Sequence, residues 1–67
     1  EFVAKEESKI TKGSLRNIEF PKDAIVGGII RGNKSFIATG DTEIIADDRV
    51  VVFALPSAVK KLDNFFN

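Results

Sequence analysis

The sequence contains no cysteine and no histidine among its 67 residues. Without cysteine there can be no disulfide and no thiolate metal site. Without histidine there is no imidazole metal site and no histidine acid–base catalyst. A domain of this size buries only about 60% of the surface that its unfolded chain exposes, and such domains usually compensate with disulfides, a metal or oligomerisation. Of these three means, the composition favours association with another protein surface.

The chain also lacks net charge, tryptophan, tyrosine and any long apolar run. Ten basic residues balance ten acidic ones, so the chain lacks the field that attracts nucleic acid or an anionic membrane. Six phenylalanines without tryptophan or tyrosine give no stacking platform for single-stranded nucleic acid. No apolar run approaches the ~20 residues needed to cross a bilayer. We therefore expect no nucleic-acid partner and no direct insertion into a membrane.

The chain begins with Glu1, in what reads as a strand, rather than with methionine. We interpret residues 1–67 as one domain of a longer protein, with a cloning remnant at the start as the alternative.

The segment 24–30 is the feature around which the rest of the chain is organised, because every residue in it is apolar or glycine. A strand with one solvated face would alternate apolar and polar residues. We therefore expect both faces of this strand to be covered, in part by a partner. A Gly32-Asn33 turn joins it to a second strand that ends near Ala38.

The remaining segments predict an α+β fold: a small, mostly antiparallel sheet with a C-terminal helix and one short early helix. The short early helix follows Ser14 as its cap, and the C-terminal helix follows Pro56 and carries an apolar stripe that includes Leu62 and Phe65. The expected elements are an edge strand over 1–5, an extended piece over 8–13, the early helical turn over 14–18, a central strand over 49–55 and the helix over 57–66.

Two adjacent acidic pairs, Glu6-Glu7 and Asp47-Asp48, are the first candidates for chemistry. Adjacent carboxylates in polar turns share one solvated environment, whereas acid–base catalysis needs carboxyls with separated pKa values. We interpret both pairs as solvated turns. A weak cation site that uses Glu6, Glu7, Asp41 or Asp47 is the alternative, but no EF-hand spacing supports it, and we expect no metal.

Gly27 and Gly28 lie in the middle of the apolar strand, and they do not match a phosphate-binding glycine pattern. They indicate a β-bulge, or a place where a ligand or another backbone approaches closely. Arg31 ends the same strand. Its guanidinium fork could bind a phosphate or a partner carboxylate, with a surface salt bridge as the alternative. No histidine can activate a serine or threonine, so we do not expect an enzyme.

Three blocks of the chain, 20–33, 37–42 and 47–54, resemble the TrkA C-terminal domain, the C-terminal lobe of regulator-of-potassium-conductance (RCK) proteins. The family pattern is an apolar strand that ends in arginine, a turn, P-x-G-D-T, the block G-D-R-V-V-V-F and a closing helix. The order and spacing of the blocks are kept over almost the whole chain. Two positions depart from the pattern, since Ala38 replaces proline and Asp47 replaces glycine.

The resemblance implies regulation rather than catalysis. Such domains follow a nucleotide-binding domain in cytosolic proteins that control potassium channels or transporters at the inner face of the cell membrane. They typically form homodimers, and in some members the dimer cleft binds an effector such as cyclic di-AMP. By position in the motif, the ligand-facing residues would be Ile29, Ile30, Arg31 and Asn33. NAD or ATP would bind the preceding domain and not this chain.

Two functions are therefore expected. The first is a regulatory, ligand-sensing dimerisation domain of a Trk- or Ktr-type potassium uptake protein. The alternative is a structural dimerisation domain that binds no small molecule.

Overall fold

The computed structural model describes residues 1–67 as one antiparallel sheet with a single α-helix, α1 (Val59–Phe66). This confirms the α+β fold expected from the sequence. The strands are β1 (Phe2–Val3), β2 (Ala24–Arg31), β3 (Lys34–Ile37) and β4 (Arg49–Ala54). Single turns of 3-10 helix cover Lys9–Thr11, Leu15–Asn17 and Pro56–Ala58. No helix has both the length and the apolar character that a membrane crossing requires.

The strands are ordered β1-β4-β2-β3 across the sheet, and every neighbouring pair is antiparallel. The two apolar strands β2 and β4 are therefore central, as the sequence predicts. The pairing of β2 with β4 shifts register between Val26 and Gly28, which confirms the expected bulge. Gly32 has a φ of 62°, and this left-handed conformation in the tight β2–β3 turn suits glycine.

The core lies on one face of the sheet, between the strands, α1 and the loops of the first half of the chain. Its buried apolar residues are Ala4, Ile10, Ile29, Ile44, Val50, Leu62 and Phe66. The ring of Phe2 in β1 stacks on that of Phe66 with a centroid distance of 4.6 Å. The buried Ser8 hydroxyl accepts a hydrogen bond from the Lys5 N–H and donates one to the Phe66 carbonyl. These contacts fix the end of α1 against the start of the chain.

The segment 8–13, expected to be extended, instead forms the 3-10 turn Lys9–Thr11. The Thr11 hydroxyl contacts the carbonyl oxygens of Glu6 and Ser8 at 3.1 and 2.9 Å. Such local side-chain bonds favour a turn over a strand. The turn also places Ile10 fully in the core. The extended prediction was therefore wrong.

The chain covers only one face of β2, although the sequence predicts cover on both. Ile29 is 1% exposed, but Ile25 on the opposite face is 64% exposed. The helix and all loops that pack on the sheet lie on the Ile29 side, so nothing in the chain shields the other side. The chain therefore covers the Ile29 face of β2 itself and leaves the Ile25 face open to solvent.

Candidate functional site

The uncovered side of the sheet, here termed the outer face, is an apolar surface that spans all four strands. Directly opposed residues of antiparallel strands share a face. Ile25 opposes Phe53, while Gly28 lies between Val51 and Ile37. The apolar side chains on the outer face are Val3, Ile25, Ile30, Ile37, Val51 and Phe53.

Several apolar side chains of the outer face are strongly exposed to solvent. Ile37 is 79% exposed and Phe53 is 65% exposed. Scattered exposed apolar residues are common, but a contiguous patch usually marks a contact with another molecule. At the β1 edge, the ion pair between Arg49 and Glu1, at 3.0 Å, gives the outer face a charged rim.

Arg31 ends β2 and forms a two-pronged ion pair with Asp48, which immediately precedes β4. The Arg31 Nε donates to Asp48 Oδ1 at 2.8 Å, and Nη2 donates to Oδ2 at 2.7 Å. Nη2 also donates to the Glu43 carbonyl at 3.1 Å. The guanidinium lies over the Phe36 ring, 5.0 Å from its centroid. Arg31 is therefore a structural clamp between β2, β3 and the loop that leads into β4.

Asp48 is buried, and this corrects its interpretation as part of a solvated turn. Its side chain is only 1% exposed, whereas its neighbour Asp47 is exposed. Besides Arg31, the Asp48 carboxylate accepts a hydrogen bond from the Ile45 N–H at 3.0 Å. The two carboxylates thus have different environments, because the backbone turns sharply between them.

The charge state of Asp48 follows from these contacts. Burial alone would raise the pKa of the Asp48 carboxyl, but the hydrogen bond from Arg31, the Ile45 N–H and the Arg31 charge outweigh burial. The pKa of Asp48 therefore lies below the ordinary value of 3.8. The same hydrogen bond raises the pKa of Arg31. Both groups stay charged over the whole physiological pH range.

Asp47 holds the sharp turn with a φ of 73°, a left-handed conformation that non-glycine residues rarely adopt. The Asp47 N–H donates to the Ala4 carbonyl at 2.8 Å, and the Ala4 N–H donates to the Asp48 carbonyl at 2.9 Å. These two bonds join the turn to the end of β1. Because the family pattern has glycine at this position, the left-handed aspartate carries backbone strain that glycine would not.

The four residues proposed to face a ligand do not lie together. Ile29 points into the core, so its side chain is inaccessible from the outer face. Ile30 lies on the outer face beside Arg49, and Asn33 is exposed in the β2–β3 turn. None of the cavities in the chain is lined by any of these residues. Arg31, which lies over Phe36 on the Ile29 side of β2, points to the face opposite Ile30, so these residues form no single site within the chain.

The sequence reasoning missed Asp48 as the partner of Arg31. The signal was present, because Arg31 ends one central strand and Asp48 precedes the adjacent antiparallel one. In such a pair of strands these two ends meet. The predicted alternative of a cation site also receives no support, since no three acidic side chains converge on a point that could hold a metal ion.

The chain is an α+β domain whose sheet is packed on one face and uncovered on the other. An exposed apolar face of this kind is typical of a domain that packs against another protein surface. The TrkA-C domain model matches residues 1–67. The chain belongs to the TrkA-C domain family, as the resemblance of its motifs predicts.

Relatives of known name agree with this family. The chain is 35% identical over 66 residues to Trk system potassium uptake protein TrkA homolog 1 of Methanosarcina mazei, covering 98% of this chain and 15% of that protein. It is 39% identical over 59 residues to the TrkA homolog of Archaeoglobus fulgidus, covering 88% of this chain and 14% of that protein. The chain thus spans about a seventh of the length of these relatives.

A solved structure described as an RCK domain with cda has the same fold. It superposes with a TM-score of 0.82 at 29% sequence identity, covering 98% of this chain and 93% of that chain. The chain is therefore an RCK-type regulatory domain related to potassium uptake proteins.

Proposed function

We propose that this chain is the ligand-sensing dimerisation domain of a Trk- or Ktr-type potassium uptake protein. The parent protein acts at the cytoplasmic face of the membrane on a potassium transporter or channel subunit. NAD or ATP binds a preceding domain of that parent. The chain itself performs no catalysis. The relatives that are TrkA proteins and the similarity to an RCK domain support this assignment.

The outer face is the observation that carries the dimerisation part of the proposal. Two copies that pack outer face to outer face would bury Ile25, Ile37 and Phe53 of both chains. Such an interface is self-complementary, since a two-fold axis places the same patch on both sides. At about 25 cal/mol per Å² of buried apolar surface, it would also provide the stabilisation that a domain of this size lacks.

The ligand in this proposal binds at the end of the sheet beside the β2–β3 turn, where Ile30 and Asn33 approach the second chain and Arg31 reaches the same end from the opposite face of β2. Arg31 still has an Nη1 group without a hydrogen-bond partner, and a phosphate of an effector such as cyclic di-AMP could accept from it. The ligand would favour one dimer geometry over another, to the extent that its affinity differs between the two. The attached domains would transmit this preference to the membrane pore.

A specific observation favours the alternative of a dimerisation domain without a small-molecule ligand. Two of the donor groups of Arg31 are already used by Asp48, and no cavity of the single chain adjoins Ile30, Arg31 or Asn33. In that case Arg31 has only its structural role. The two alternatives share the dimer and differ in ligand binding.

Sedimentation equilibrium of Ile25→Asp tests the dimer. A charge on the outer face should make the chain monomeric while the core, which Ile25 does not contact from that side, stays folded. Ile45→Asp is the matched control, because Ile45 is also half exposed but lies in the loop before β4. A wild-type chain that is monomeric at millimolar concentration would disprove the proposal, as would an Ile25→Asp chain that dimerises like the wild type.

Thermal unfolding with and without cyclic di-AMP distinguishes the two alternatives. A ligand present at 100 times its dissociation constant should stabilise the folded chain by about 2.7 kcal/mol. Asn33→Ala serves as the matched variant, because Asn33 is exposed and lies outside the other grooves of the chain, and it should lose this stabilisation while the fold is kept. If the wild-type chain is dimeric but no cyclic dinucleotide stabilises it, the result would favour the purely structural dimerisation domain over the ligand-sensing one.

A further inference from the structure

A polar groove lies on the helix-bearing side of the molecule, away from the outer face. It runs between the first 3-10 turn, the segment 19–23 and α1, and its volume is about 550 Å³. We term it the lysine groove. Phe20 and Phe65 form the floor of this groove, and its other lining residues include Lys9, Lys22, Lys61 and Asn64.

The aromatic floor is partly open to solvent. The rings of Phe20 and Phe65 meet edge to face with a centroid distance of 5.5 Å, and both side chains are only half buried. The Lys9 ammonium lies 6.0 Å from the centroid of Phe65, so one cation is already positioned above this floor. Because the rings meet edge to face, a flat ring could stack on one phenylalanine and touch the edge of the other.

The positive charges of the lysine groove have no partner within the chain. All three ion pairs of the molecule are formed by Arg16, Arg31 and Arg49, and no lysine forms one. A smaller groove of about 370 Å³ adjoins through Lys9 and Phe65 and adds Lys12. Four unpaired lysines therefore surround two connected grooves in a chain whose net charge is zero.

Two carboxylates also line the lysine groove, so with its three lysines the groove keeps a formal charge of +1. Asp23 accepts a hydrogen bond from the Ser57 hydroxyl at 2.9 Å, which turns its carboxylate toward the start of the 3-10 turn before α1. Glu19 remains with no ion-pair partner. A carboxylate beside Phe20 and Phe65 can accept hydrogen bonds from an amino group on a ring that is bound there. The lysines attract the anionic part of the same ligand.

We propose that the lysine groove binds a mononucleotide, with the base on Phe20 and Phe65 and the phosphate at Lys9 and Lys61. Lysine binds phosphate as a point charge and needs no fixed geometry. The volume falls within the range of small-molecule sites, roughly 300–1,000 Å³. The site is independent of the outer face and of Arg31, so it can exist whether or not the chain dimerises or senses a ligand there.

The test is a titration of the 15N-labelled chain with AMP, with adenosine and inorganic phosphate as separate probes. AMP should shift the backbone amide signals of Lys9, Phe20 and Phe65 saturably, while Ile30 and Arg31 stay unchanged. Adenosine and phosphate should each bind at least about tenfold more weakly than AMP, equivalent to about 1.4 kcal/mol. Raising the salt concentration should weaken AMP binding, since the contact is between exposed charges.

The double variant Lys9→Gln/Lys61→Gln should raise the dissociation constant of AMP about tenfold or more. Its matched control is Lys5→Gln/Lys60→Gln, which removes the same charge from residues outside the lysine groove and should leave AMP binding unchanged. All four lysines are exposed, so both variants should keep the dispersed amide spectrum of the wild type.

Four results would overturn the proposal: no saturable shift with millimolar AMP, phosphate that binds as tightly as AMP, equal losses in the two double variants, or shifts confined to Ile30 and Arg31. The last result would move nucleotide binding to the site of the proposed function. A chain that fails to dimerise but binds AMP in the lysine groove would retain this inference and lose the proposed dimer.

Discussion

The ring of Phe53 lies against the backbone of Gly27, so closely that a Cβ atom added at Gly27 would come within 2.6 Å of Cε2 of the ring. The β-bulge places Gly27 beside the ring, and the absence of a side chain there lets the ring rest on the strand. The bulge and the glycine therefore have a structural role, because they let the Phe53 ring lie against the strand on the outer face. This close approach comes from a side chain of the same molecule.

Gly27→Ala should displace the Phe53 ring and weaken the proposed dimer, with the dissociation constant rising about tenfold. Because Phe53 is exposed and can rotate away, the free energy of unfolding of the monomer should change by less than about 1 kcal/mol. Sedimentation equilibrium and urea unfolding measure the two effects. Gly13→Ala is the control, since nothing lies near an added Cβ at that position; equal association of both variants would refute the role of Gly27.

Asp48→Asn should lower the free energy of unfolding by about 1–3 kcal/mol, because an amide cannot accept from all the donors that surround Asp48 and adds a buried donor of its own. Urea unfolding at pH 7 measures this loss. Asp41→Asn makes the same chemical change in an exposed ion pair with Arg16, and it should alter stability by less than about 0.5 kcal/mol. Equal effects of the two substitutions would contradict a clamp at Asp48.

Acidification should remove the stabilisation that the Asp48 carboxylate provides. The pKa of Asp48 is lower in the folded chain than its ordinary value of 3.8, so the unfolded chain binds the proton first as the pH falls. The contribution is complete above that ordinary value and disappears as the pH drops through the folded pKa. Urea unfolding between pH 7 and pH 2 should show this loss in the wild type, with a flatter dependence in Asp48→Asn.

Asp47→Gly should stabilise the chain by about 0.5–1 kcal/mol, because glycine adopts the left-handed conformation of this turn without a Cβ clash. The substitution restores the residue that the family pattern has here. Asp47→Val should destabilise the chain, since a branched Cβ is the least tolerant of a positive φ. Thermal unfolding of the three chains gives the order; an Asp47→Gly chain less stable than the wild type would show that the turn is not strained.

Local chemistry explains why so much of the fold could be predicted. The Gly32-Asn33 turn and the bulge at Gly27-Gly28 depend on glycine, which adopts conformations that other residues avoid, and the stop at Pro56 depends on proline, which fixes φ. The continuous apolar run of β4 correctly predicted a central position in the sheet. The motif pattern of the chain identified the family. The 3-10 turn at Lys9–Thr11 was missed because its cause, a threonine hydroxyl that bonds nearby carbonyls, leaves no periodic pattern.

The sequence by itself determined the sheet strands, the C-terminal helix, their order and the family, because these depend on local residue preferences and on motif spacing. Only the tertiary structure decided that Asp48 is buried with Arg31 while Asp47 is exposed, and that the cover of β2 falls entirely on the Ile29 side. Burial and ion pairing depend on which distant segments meet in space. A run that is apolar at every position has no polar residue to mark the face that the chain leaves open.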